Sequence, residues 1–260
     1  MPTTTIRTRP LICRCALAVL PLTLVASMIG AWTAQAGAAR RPLASSTSDA
    51  TKASEINLHS SDLPTSAHWS STPAPPSQVA LGKTAVSCMK AGGGAGAKVS
   101  PDPFGTVGKA SSDVTADVSS NVFGIKGSAT GLPSASSEVV FVTTAGQALN
   151  DLAAFGTSHV QSCEATLVTA VTQLSSGGKP KTTTSVMSLP HFGNGSGGVH
   201  LRFVTTGGNI PGKLYQDAYY YVQGRAEVAL TFVNLATPFS STWAGSIAKN
   251  IMARAKSIAG

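Results

Sequence analysis

Leu214–Val233 reads LYQDAYYYVQGRAEVALTFV, and this stretch decides the fold. Two apolar runs, Leu214–Val222 and Ala226–Val233, flank Gly224. Runs of this length, rich in tyrosine and valine and separated by a glycine turn, read as two strands of a β-hairpin. Two registers are open. A two-residue Gly224-Arg225 loop sets Tyr219 and Tyr221 beside Val228 and Leu230. A three-residue loop sets Tyr220 and Val222 there and frees Asp217, Tyr219 and Tyr221 for the opposite face. The second gathers the apolar residues on one side and is the expected one.

Working outward, Val199–Thr205 alternates Val199, Leu201 and Phe203 with His200 and Arg202, which suits a sheet with one buried face. Thr183–Leu189 reads as a further strand, and Ser137–Thr143, with the run Val139 to Val142, as another. Shorter extended pieces are expected at Asp113–Val118 and Asn121–Ile125. Leu81, Ala85 and Cys88 recur at helical spacing before the glycines at 92–94. Thr144 caps a helix whose stripe of Ala148, Leu149, Leu152 and Phe155 continues to His159 and Cys163. A strand at Glu164–Gln173 is expected next. Trp243, Ile247, Ile251 and Ile258 mark a final helix, entered at Ser240 or Ser241, with Arg254 and Lys256 near its carbonyl end. Adjacent strands joined by short loops and framed by helices indicate an α+β fold. The expectation is a mostly antiparallel twisted sheet with helices on one face, in a single domain.

The N-terminus bears on location. Arg7, Arg9 and Arg14 precede an apolar run from Ala16 to about Trp32, and Ala34-Gln35-Ala36 follows. A positive end, an apolar middle and a small-residue exit make residues 1–36 a signal peptide, or an anchor if uncleaved, with the same topology in both cases. The chain is then secreted or held at the cell envelope, on the extracytoplasmic side, and touches a membrane through that leader alone. Residues 37–54 hold almost no large apolar side chain and read as a disordered linker, followed by an extracytoplasmic domain over 55–260. Beyond the leader sixteen basic residues face eleven acidic ones. No cluster is dense enough for a nucleic-acid footprint.

Two cysteines follow the leader, Cys88 and Cys163. In an oxidising compartment the pair is expected to bond, closing a loop of about 75 residues worth about 4 kcal/mol, with a free thiol as the alternative. Both lie on inner helix stripes near the ends of their helices, so a bond would join two helices over the sheet.

The segment from Asp62-Leu63-Pro64 to the Cys88 helix, the Ser137–Val142 strand feeding the Cys163 helix, and the Ala218–Val228 hairpin before a last helix resemble a known group. These are secreted domains of high-GC Gram-positive bacteria: the extracellular sensor of PknH-type receptor kinases and exported lipoproteins of PsbP-like fold. The resemblance implies an antiparallel sheet flanked by helices, a cleft and no catalytic machinery. PknH-type sensors hang on a kinase and carry two disulfides; this chain has no kinase and cysteines for one.

Chemical motifs are sparse. Gly193–Gly198 fits G-x-G-x-x-G, but a strand follows it where a dinucleotide site needs a helix. Ser87-Cys88-Met89-Lys90 fits S-x-x-K without the later S-D-N and K-T-G. His59, His68, His159, His191 and His200 show no metal-ligand spacing, and no two acids are spaced for acid–base work. No cofactor and no metal is expected. Asp217 among Tyr215, Tyr219 and Tyr221, with Arg202 nearby, is the candidate ligand-binding group. The expected function is an exported, non-enzymatic domain that binds a small ligand or lipid at the envelope. The alternatives are a surface protein-interaction module without a small-molecule pocket and an envelope serine hydrolase.

Overall fold

The computed structural model describes residues 44–75, 78–108, 111–128, 130–189 and 197–259. The leader, residues 37–43, His191 and most of the glycine loop lie outside the described residues.

Eight strands form one sheet: β1 (Trp69–Thr72), β2 (Val114–Ser119), β3 (Val122–Ile125), β4 (Ser134–Val142), β5 (Pro180–Met187), β6 (Gly197–Gly207), β7 (Lys213–Gln223) and β8 (Ala226–Leu235). The order is β1-β3-β4-β8-β7-β6-β5, with β2 also paired to β4, and every pairing is antiparallel. Five helices complete the fold: α1 (Ala44–Ile56), α2 (Val79–Ala91), α3 (Ala145–Phe155), α4 (Ser158–Ser176) and α5 (Ser241–Ala259).

The α+β class and the antiparallel sheet flanked by helices are as expected from the sequence, but the helices cover both faces. On one face α2, α3 and α4 pack against Val140, Val142, Leu201, Phe203, Tyr220 and Val222. On the other, α1 and α5 pack against Val139, Phe141, Tyr219, Tyr221, Val228 and Phe232. The hairpin therefore takes the register set aside above. Tyr221 pairs with Val228, Tyr219 with Leu230 and Gln223 with Ala226, around a two-residue Gly224-Arg225 turn. Placing all apolar side chains on one face has no advantage when each face has its own core.

Two further expectations are corrected. The segment at 164–173 is helical: α4 runs Ser158–Ser176, and Val160, Cys163, Leu167, Val168 and Val171 are its buried stripe. Gly156-Thr157 breaks the expected long helix in two. Thr157 accepts a hydrogen bond from the Val160 amide (3.4 Å), starting α4 as Thr144 starts α3 through the Gln147 amide (3.1 Å). The linker expected at 37–54 is helix α1 from Ala44 onward, with Asp49, Ala53 and Ile56 buried. It holds through close approach of small residues and through Asp49, which accepts from Arg225 (2.9 and 3.0 Å) and Thr115 (2.6 Å).

Cys88 and Cys163 form a disulfide with Cα atoms 5.8 Å apart, joining α2 to α4. Cys88 lies in the penultimate turn of α2, as read; Cys163 lies in the second turn of α4, because α4 begins later than expected. No helix of the described residues is long and apolar enough to cross a membrane.

Candidate functional site

Alternation along β6 and β7 brings all five candidate ligand residues to one face of the sheet. Arg202 pairs opposite Asp217, and His200 opposite Tyr219, on the α5 face. Asp217 Oδ1 accepts from Arg202 Nε (2.7 Å) and His200 Nε2 (2.8 Å), and Oδ2 accepts from Arg202 Nη2 (3.2 Å). His200 Nδ1 meets the Ser188 carbonyl (3.1 Å), so both ring nitrogens face acceptors. Tyr219 stacks edge-on against His200 and Phe232, and burial, reinforced by the Asp217 charge, pushes its hydroxyl up to about 12. Tyr221 is 1% exposed within the same core, and its hydroxyl is raised by burial. Tyr215 shares this face two residues before Asp217 and is half-buried. Asp217, Tyr219 and Tyr221 are thus interior groups, while Arg202 and Tyr215 keep a partly open surface.

A second polar group was not foreseen. Asp117, Glu138 and Glu227 stand on neighbouring strands β2, β4 and β8 and share the face of Val140. Over them lies the loop 100–108, whose amides are taken by carboxylates. Asp102 accepts from Val107 (2.5 Å) and Gly108 (3.1 Å), Glu227 from Phe104 (2.7 Å), and Asp151 of α3 from Ser100 (2.8 Å) and the Gln147 side chain (2.9 Å). Asp102, Glu138, Asp151 and Glu227 are each at most 2% exposed. Burial first, then the neighbouring Asp151 charge, holds the Glu227 carboxyl well above its ordinary range. Burial raises Asp117 too, against the opposing pull of Glu138 and Asp102. On α4, burial pushes Glu164 up to about 8, opposed by a hydrogen bond with Tyr220. Burial thus favours the neutral form of Glu227, Asp117 and Glu164. The signal was present in the strand parity, since Glu138 shares its face of β4 with Val140 and Val142.

The third feature is a groove of about 460 Å³ between α4 and β5, lined by Ser158, Gln161, Ser162, Ala165, Thr166 and Thr169 on the helix and Thr182 and Thr184 on the strand. The Thr184 hydroxyl is buried and finds no hydrogen-bond partner among the described residues. β5 pairs with β6 alone, so its other edge is unpaired among the described residues. Pro180, Lys179 and Lys181 guard its start, whereas Thr183, Ser185 and Val186 are exposed beyond them. The opposite edge is blunted: β1 is four residues long and Pro73 follows it.

Comparison with protein-family models, with curated proteins and with solved structures finds no match to this chain.

Proposed function

We propose that this chain is an exported, non-enzymatic binding module of the cell envelope whose working surface is the β5 edge and its hydroxyl-lined groove, and whose ligand is an extended polypeptide segment. Export is read from the leader, and the likeness to PknH-type and PsbP-like domains belongs to the same proposal. The observation that carries it is the open strand edge beside a groove with an unsatisfied buried hydroxyl. A peptide laid along β5 would take the free main-chain groups and offer alternate side chains to the groove. The lining is serine, threonine and glutamine, which favours a peptide over a lipid. Both sheet faces carry their own apolar cores, which leaves the sheet–helix cleft expected for a small ligand without support. The His200–Asp217 pair does not favour a hydrolase, because the remaining imidazole nitrogen meets a main-chain carbonyl instead of a serine hydroxyl.

The test is selection of a phage-displayed peptide library on the immobilised chain, read against Thr183→Pro and Thr184→Pro. In an antiparallel ladder one of two adjacent residues points its amide to β6 and the other points it outward. One proline should abolish peptide capture with the far-ultraviolet circular dichroism unchanged, and the other should weaken the fold. No enriched peptide, or capture surviving both substitutions in folded protein, overturns the reading.

A further inference from the structure

The Cys88–Cys163 disulfide has a third donor beside it. His159 precedes Cys163 by one helical turn on α4, and at i, i+4 both side chains lie on one helix face. His159 Nε2 is 3.7 Å from Cys163 Sγ and 2.7 Å from the Cys88 carbonyl oxygen. The two sulfurs and a ring nitrogen all lie within 4.8 Å of one another. The imidazole is held there by more than that hydrogen bond. It fills the space over Gly92 at the end of α2, where a β-carbon would fall 2.0 Å from the ring. His159 is exposed and Cys88 half-exposed, so the group opens to solvent, while Cys163 is anchored in the core.

We propose that Cys88, Cys163 and His159 form a redox-gated site for a soft divalent transition-metal ion, with zinc the best match. Two thiolates and an imidazole, with a water in the fourth position, are a ligand set zinc accepts. Ideal tetrahedral bonds to zinc place sulfur and nitrogen about 3.6 Å apart and two sulfurs about 3.8 Å apart. The Cys163–His159 edge already has that length; the sulfurs part once the bond between them is cut, and Nε2 gives up its hydrogen bond to the Cys88 carbonyl as the ring proton passes through solvent to Nδ1. An external dithiol supplies the two electrons. It closes to its own disulfide while Cys88 and Cys163 become thiols, and binding of the ion then releases their two protons. Reoxidation by a disulfide reverses the sequence and expels the ion. The same three side chains thus fasten α2 to α4 covalently in one state and through a metal in the other.

The test uses the full chain with Cys13→Ser and Cys15→Ser, which removes the other thiols, reduced anaerobically with a phosphine and titrated with Co²⁺. The expected result is uptake of a single Co²⁺ with sulfur-to-cobalt charge-transfer bands and the intense visible bands of a tetrahedral site, both erased by zinc. The disulfide form should give neither. His159→Gln should weaken uptake about a hundredfold. Three outcomes overturn the site: no charge-transfer band in reduced chain that circular dichroism shows to be folded; equal affinity in His159→Gln, which would leave the imidazole as a partner of the Cys88 carbonyl alone; or collapse of the fold on reduction even with metal present.

Discussion

Gly105 stands so close to Glu138 that a β-carbon on it would fall 2.2 Å from the Glu138 carboxyl carbon. The glycine also sits at φ +74°, a conformation other residues resist. The loop over the carboxyl layer thus has one position where a side chain is excluded by the buried acid beneath it. Gly105→Ala should cost about 3 kcal/mol or more, combining left-handed backbone strain with displacement of a buried carboxyl. Urea unfolding measures it, and a loss under about 1 kcal/mol would show that the loop shifts freely.

Acid should stabilise this protein. Glu164 titrates near its ordinary 4.5 when unfolded and near 8 when folded, so between those values the folded state holds a proton that the unfolded state has released. Its contribution is whole below about pH 4.5, declines as pH rises and levels off above about 8. Glu227 and Asp117 act in the same direction. Thermal unfolding from pH 4.5 to 8 should show a falling Tm, and Glu164→Gln should flatten the slope and raise the Tm at pH 8. A Tm that climbs with pH over this range contradicts the account.

Asp217 is buried with two donors converging on it, so removing its charge alone should be costly. Asp217→Asn should destabilise by about 3 kcal/mol, because Arg202 and His200 lose the carboxylate that offsets their desolvation. The paired change Asp217→Leu with Arg202→Met should recover part of that loss. A single-variant cost no larger than that of the pair would mean the ion pair contributes little.

Helix α1 belongs to the domain, so its apolar contacts should matter. Ala53 lies inside the segment read as linker and is fully buried, so Ala53→Leu should overpack the site and cost about 2 kcal/mol in denaturant unfolding. A free linker would register no change.

The strands of the hairpin, β4, β5 and β6 and the last helix were legible because each rests on local periodicity, and the cysteine pair because only two cysteines follow residue 36. What escaped depends on distant partners. Residues 164–173 carry Thr166, Val168, Thr169, Val171 and Thr172, a β-branched composition that suggests a strand, yet their apolar residues step at three and four. α1 offers Ala50, Ala53 and a single large residue, Ile56, too little for an apolar stripe until Arg225 supplies Asp49 with a partner. The hairpin register was ambiguous because alternation says which residues share a face, not whether the other face is wet. The carboxyl layer escaped for a related reason: nothing local to β4 or β8 places the distant loop of Phe104 and Gly105 over Glu227 and Glu138.

The sheet order gives the molecule a direction. α1, where the described chain begins, packs over β2 and β4, whereas β5 lies four strands further along, about 19 Å at the usual strand spacing. If the upstream segment stays in the bilayer as an anchor and the β5 edge takes a peptide as proposed, attachment and recognition fall at opposite ends of the sheet. The width of the sheet then separates the two.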